Sequence, residues 1–226
     1  MLLVRLDDAI LGRSSPGQFG LAKSDSEFGP YLRRTLWPYP AEAGCSTALF
    51  LRDRANGWTP RTGDNLDTLA PLGRPIEFDT SRRHVLLVGE GALAAPLVGI
   101  AAIALRLQCE VAFVFHCGAD DPLPPHLLAP EIEYHTDPDA PGPDLVAWAD
   151  RIVASGSPAL YRKLAGAIIS ARYRVEPGLA YVLLDLPMPC GTGDCCACAV
   201  DTRAGVALAC VDGPFIDLSE LDYRRV

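Results

Sequence analysis

Five cysteines crowd into 21 residues toward the end of the chain, at Cys190, Cys195, Cys196, Cys198 and Cys210. Four of them follow the spacing C-x4-C-x2-C-x11-C, and the first three ligand positions lie in CGTGDCCAC. That spacing suits a sulfide-bridged two-iron unit, a [2Fe–2S] cluster held by thiolates. Wrapping such a unit needs a tight backbone path with N–H groups turned toward anionic sulfur. Gly191 and Gly193 permit that path, because glycine reaches positive φ and carries no side chain to block the approach. Cys210 comes from a following hairpin, AVDTRAGVALAC, with its turn near Ala204-Gly205. Structural zinc is the alternative, since four cysteines also hold that ion, although its usual signature is two C-x2-C knuckles with a longer spacer. Cys196 is left out of the ligand set because ligation by both neighbours Cys195 and Cys196 is geometrically awkward. Cys45, Cys109 and Cys117 read as small buried hydrophobes.

Composition narrows the function classes. At 226 residues and 49% hydrophobic, the chain can bury a real core. A net charge of −8 lacks the cationic footprint that nucleic acid requires, so no nucleic-acid partner is expected. The opening MLLVRLDDAIL sets Asp7 and Asp8 where a secretory leader would be apolar, and the expected compartment is the reducing cytoplasm, where clustered cysteines bind metal more often than they form disulfides. The run VLLVGEGALAAPLVGIAAIALRL, 85–107, has the hydropathy of a membrane span. Glu90 interrupts it, and the 15 uncharged residues from Gly91 to Leu105 fall short of the roughly 20 that a crossing needs, so no membrane span is expected. His84, His116, His126 and His135 are scattered without metal-ligand spacing, and Asp120-Asp121 reads as ordinary loop. There is no Ser-His-Asp arrangement and no nucleophile elbow, hence no case for hydrolysis.

Along the chain, residues 1–80 carry short β-type runs (2–6, 47–51, 76–78) between turn clusters such as SSPGQ and RTGDN, the pattern of a small antiparallel barrel or sheet. From His84 the pattern becomes βαβ: an apolar strand 85–88, a glycine turn, a helix 93–107 and a second apolar strand 111–116, as a two-sided parallel sheet demands. A polar, Pro-rich loop surrounds a short strand at 132–135. Helices are expected at 145–154 and 158–172, and another buried strand at 179–186. Three units follow: 1–80, 81–186, and a cysteine segment at 187–226.

The stretch CGTGDCCACAV followed by CVDGPFI resembles the electron-transfer subunit of NAD-dependent type B dihydroorotate dehydrogenase. PGQF at 16–19, YLRR at 31–34, TGDNLDTLAPLG at 62–73, VLLVGEGALAAPL at 85–97, ASGSPAL at 154–160 and VLLDLPMPC occur in that family's order, over nearly the whole chain. The resemblance implies an α+β, multi-domain, ferredoxin-reductase-like fold: a flavin-binding antiparallel β-barrel, an α/β nicotinamide-binding domain and a C-terminal [2Fe–2S] segment. It implies FAD, NAD and an FMN-containing catalytic partner that oxidises dihydroorotate in pyrimidine biosynthesis. Electrons would pass singly through the cluster on Cys190, Cys195, Cys198 and Cys210, pair on FAD and leave as hydride to NAD. Similar subunits serve sulfide dehydrogenases and NAD(P)H-dependent ferredoxin reductases. An iron–sulfur docking subunit that has lost flavin chemistry is a further reading.

Carried over residue by residue, the family's flavin contacts fall on Arg34, on Gly57 and Thr59, and on Gly73 of the PLG element. The nucleotide contacts fall on Gly89, Gly91 and Pro96. Two places depart from the pattern. Trp37 stands where the flavin motif has a serine, and Asn56-Gly57-Trp58-Thr59 keeps little of a Gly-x-Gly-Thr turn. In GEGALAAP, Leu93 replaces a glycine where pyrophosphate would approach the helix, and Glu90 adds a negative charge close by.

Overall fold

A computed structural model describes residues 2–7, 9–25, 31–39, 46–50, 59–78, 83–116, 127–137 and 141–222. The chain begins with five strands, β1 (Leu2–Leu6), β2 (Phe19–Ser24), β3 (Arg34–Tyr39), β4 (Ser46–Phe50) and β5 (Leu66–Leu72). They form one antiparallel sheet in the order β1-β4-β3-β2-β5. The expected barrel is therefore an open sheet among the described residues, with β1 and β5 at its two edges. Its two faces follow the alternation of a pleated strand. On β3, Leu36 joins Leu11, Ala22 and Ala48 in a small core under the sheet, while the next residue, Trp37, joins the main core on the other side.

The second sheet holds β6 (His84–Glu90), β7 (Glu110–His116), β8 (Glu133–Asp137), β9 (Arg151–Ser155), β10 (Ala180–Leu183) and, last in sequence, β13 (Phe215–Asp217). Between β10 and β13 lies a hairpin of β11 (Ala199–Thr202) and β12 (Gly205–Leu208), turning at Arg203-Ala204, one residue before the expected Ala204-Gly205. The order is β13-β10-β9-β6-β7-β8, parallel throughout except for β13, which runs antiparallel to β10. The sheet is thus mixed, not purely parallel. Val85–Val88 and the inner residues of β7 are buried, as strands covered on both faces must be.

Helices α1 (Ala95–Arg106), α2 (Pro143–Trp148) and α3 (Pro158–Arg172) flank this sheet. A 3-10 turn, Gly91–Ala94, precedes α1, and Pro96 sits in its first turn, where the missing N–H costs nothing. The Ser157 side chain caps α3 by accepting from Leu160 N at 3.3 Å. Two expectations are corrected. The helix read at 145–154 ends at Trp148, and its second half is β9, buried at every position. The strand read at 76–78 is an extended connection whose Ile76 is buried against Gly17.

Candidate functional site

The cysteine loop runs from the end of β10 into the hairpin. Gly191, Gly193 and Cys196 adopt positive φ, at 72°, 90° and 53°. Cys190 neighbours Cys195 and Cys198 neighbours Cys210, with Cys190 close enough to act electrostatically on Cys210. Backbone N–H groups point at the sulfurs: Thr192 N donates to Cys190 Sγ at 3.5 Å and Cys210 N to Cys198 Sγ at 3.4 Å. The N–H groups of Cys195 and Thr192 bring the Cys190 thiol down to about 6. Burial, with the neighbouring Cys198 thiol, pushes Cys210 up to about 12. Cys198 and Cys210 are buried, Cys190 is half-buried, and Cys195 is exposed. Cys196, also exposed, turns its thiol back to the Gly193 carbonyl at 3.7 Å.

Among the described residues, no three His, Cys, Asp or Glu side chains gather closely enough to hold one metal ion. Four thiols on one loop and its hairpin are the ligand number that a bridged two-iron unit takes, and also the number that a single zinc takes. Inward N–H donors are the groups that stabilise anionic sulfur. The residues present fit a [2Fe–2S] cluster.

The loop is seated on the antiparallel sheet. A methyl group at Gly191 would lie 2.8 Å from Leu21 and 2.9 Å from Leu72 on β2 and β5. Gly73, expected to contact flavin, has φ 80° and abuts the segment beyond Cys210: a methyl group there would lie 2.5 Å from the Gly213 carbonyl oxygen. Arg74 N donates to that same oxygen at 2.6 Å. Gln18 Nε2, from the PGQF motif, donates to Gly73 O at 2.9 Å. Arg34 lies half-buried on β3 opposite Ala22, and Thr59 is half-buried before β5. Gly57 lies outside the described residues, as do Cys45, Cys117 and Asp120-Asp121. Cys109 is buried, and burial raises its pKa.

Between the sheets, β3 meets α1 directly. Trp37 is 5% exposed, with its ring 5.9 Å from Phe19 and 6.2 Å from Phe215. Pro96, Ile100 and Ile103 of α1 close the other side, leaving a space of about 10 Å³. A methyl group at Gly99 would lie 2.0 Å from the Pro38 carbonyl oxygen. Pockets that take drug-sized ligands run to about 300 Å³ and more. The residues here do not fit a flavin between β3 and α1.

The nucleotide-type crevice lies where the strand order reverses, at the carboxyl ends of β6 and β9. Gly89 packs against Ala94, and Gly91 has φ 53°. Glu90 crosses the crevice, its Oε2 accepting from Ser157 N at 2.5 Å, and its side chain lies over Gly156. His116 Nε2 is 3.9 Å from Glu90 Oε1. Behind them the Tyr161 hydroxyl accepts from Gly156 N at 3.0 Å and donates to Leu183 O at 2.6 Å. The crevice at the carboxyl end of β6 thus faces the Glu90 carboxylate. Sequence reasoning flagged Glu90 but missed Gly99, whose signal was a lone glycine inside an apolar helix, a mark of close backbone approach.

An antiparallel sheet, a mixed α/β sheet and a cysteine-bearing hairpin together make a fold similar to that of ferredoxin-reductase-like proteins. Residues 187–222 match the family model described as the iron-sulfur cluster binding domain of dihydroorotate dehydrogenase B. The chain is similar to the electron transfer subunit of dihydroorotate dehydrogenase B (NAD(+)) from Clostridium perfringens, 22% identical over 176 residues that make up 72% of this chain and 68% of that one. Among solved structures, an NADH-dependent reduced ferredoxin-NADP oxidoreductase, studied for flavin-based electron bifurcation, aligns with TM-score 0.72 at 22% identity over 99% of this chain and 85% of its own. The ferredoxin reductase of a carbazole 1,9a-dioxygenase aligns with TM-score 0.60 at 16% identity, over 80% and 63%. The resemblance read from the sequence is borne out. No described helix is long and apolar enough to cross a membrane.

Proposed function

We propose that this chain is the iron–sulfur electron-transfer subunit of a two-component oxidoreductase. In this reading Cys190, Cys195, Cys198 and Cys210 hold a [2Fe–2S] cluster, and an FMN-containing catalytic subunit of the dihydroorotate-oxidising class supplies the electrons. The observation that carries it is the spacing C-x4-C-x2-C-x11-C of Cys190, Cys195, Cys198 and Cys210 inside the segment 187–222 that matches the cluster-binding family. Bound there, the cluster supplies a site that gains and loses one electron at a time. Thr192 N and Cys210 N donate to the sulfurs and favour their anionic state. Gly191 seats the loop on Leu21 and Leu72 and so sets its distance from the antiparallel sheet. Exposed Cys195 brings the outer pair to the surface, where a partner can approach, while buried Cys198 and Cys210 keep water from the inner pair.

NAD and FAD enter this proposal only through the resemblance. Leu93 and the Glu90 carboxylate oppose a pyrophosphate at the head of α1, and the packing between β3 and α1 opposes a flavin. Those same observations favour a second reading, an iron–sulfur docking subunit in which flavin and nicotinamide chemistry is carried by other chains.

Iron and acid-labile sulfide in protein purified without oxygen test the proposal. About two of each per chain are expected of a [2Fe–2S] centre. Stoichiometric zinc without iron would overturn it. The partner is identified by co-purification from the native host: an FMN protein that oxidises dihydroorotate supports the assignment, and an FMN-free partner refutes it.

A further inference from the structure

We infer that Trp37 has taken the flavin's place, so that the crevice between the five-stranded sheet and α1 is a permanent dry contact and this chain carries no FAD there. The inference uses the resemblance only to say where a flavin would be seated, along residues 34–37 of β3. It does not depend on the cluster.

Three independent observations converge. First, strand alternation places Trp37, not Leu36, on the face toward the α/β sheet, and the residue there is the largest side chain available instead of a serine. Its indole is buried between Phe19 of one sheet and Phe215 of the other, at 5.9 and 6.2 Å, with the Phe215 ring edge-on. Aromatic groups in such tilted and edge-on arrangements gain from both burial and ring geometry, so the triplet acts as core rather than as a vacant ligand platform. Second, the backbone of α1 lies directly on the next residue of β3. No side chain larger than hydrogen fits at Gly99 while the Pro38 carbonyl stands where it does. A planar ring system interposed between the two would push them several ångströms apart. Third, the remaining space of about 10 Å³ is room for one water molecule at most. Glycine at position 99 has a cost in an otherwise apolar helix, where alanine is the better helix former, and the close contact explains its presence.

The experiment counts acid-released flavin, iron and sulfide in one anaerobic preparation, then titrates the same protein with FAD. Flavin far below one per chain and no saturable FAD binding are expected. Stoichiometric FAD, or saturable binding displaced by no other nucleotide, overturns the inference. The outcomes separate it from the functional reading: iron without flavin upholds both, iron with flavin upholds only the function, and neither iron nor flavin upholds only the present inference. Gly99→Ala supplies a test of sign. If α1 and β3 touch, the added methyl group lowers Tm. If a flavin or solvent lies between them, alanine raises Tm through helix propensity, and a rise overturns the inference.

Discussion

The Glu90 carboxylate accepts a hydrogen bond from the Ser157 amide at 2.5 Å, tying the carboxyl end of β6 to the first turn of α3. The contact gives a half-buried helix-start donor an internal anion in the place where nucleotide-binding sheets present one to a ligand. Glu90→Ala leaves Ser157 N without that partner. It is expected to cost about 1–2 kcal/mol in urea unfolding. Glu90→Gln, which keeps an acceptor but not the charge, should lose less than half of that.

Tyr161 is 3% exposed, and burial raises its pKa, with the charges of Asp185 and Glu90 adding to the rise against the Gly156 N–H. The folded chain therefore holds the phenolic proton after the unfolded chain, titrating near its ordinary value of about 10, has released it. With more protons bound in the folded state, stability falls as pH rises above about 10. Tyr161→Phe leaves Leu183 O and Gly156 N unsatisfied, at a cost of about 1–3 kcal/mol at pH 8. The gap between wild type and variant should narrow at pH 11, as measured by urea midpoints at the two values.

Gly73 couples the antiparallel sheet to the segment beyond the cysteine loop. Gly73→Ala must tolerate both φ 80° and a methyl group 2.5 Å from Gly213 O. The expected loss is about 2–3 kcal/mol, from left-handed backbone strain and overpacking together. Thermal unfolding of the purified variant checks it. A neutral result would show that the Gly73–Gly213 contact is not held in solution.

Cys198→Ser should abolish the visible absorption of the purified protein, and Cys196→Ser should leave it intact. After iron removal by a chelator under reducing conditions, a thiol reagent should label Cys195 and Cys196 quickly. Buried Cys109 should be labelled only after denaturation. Retained absorption in the Cys198 variant would move the ligand to Cys196.

Much of this site was legible because the determinants are local. Cysteine spacing and the intervening glycines mark the loop, and the hairpin turn lies at Arg203-Ala204, within a residue of where AVDTRAGVALAC suggests it. Helix α3 was legible at both ends, from the Ser157-Pro158 start to the left-handed Tyr173 at φ 66°. Residues 145–154 were not, because a short apolar run such as RIVAS has no period that separates a buried strand from a helix. Strands β2 and β3 escaped for another reason. FGLAKS is buried at nearly every position and RTLWPY carries a proline, so neither shows the clean alternation of a one-sided strand. Trp37 was visible as a substitution, but its effect depends on Phe215, 178 positions away in sequence, which no local pattern reports.

The last strand, β13, completes the α/β sheet only after the chain has passed through the cysteine loop. Leu183 pairs with Phe215, Leu184 N donates to Pro214 O, and Leu218 N donates to Ala180 O, so the loop is bracketed by two stitches into one sheet. A break between Leu186 and Cys190 would therefore remove more than the cysteine segment itself. It would strip the outermost rung and leave β10 as a raw edge, open to pairing with other chains. Solubility of the whole molecule would thereby depend on an unbroken backbone through its cysteine loop.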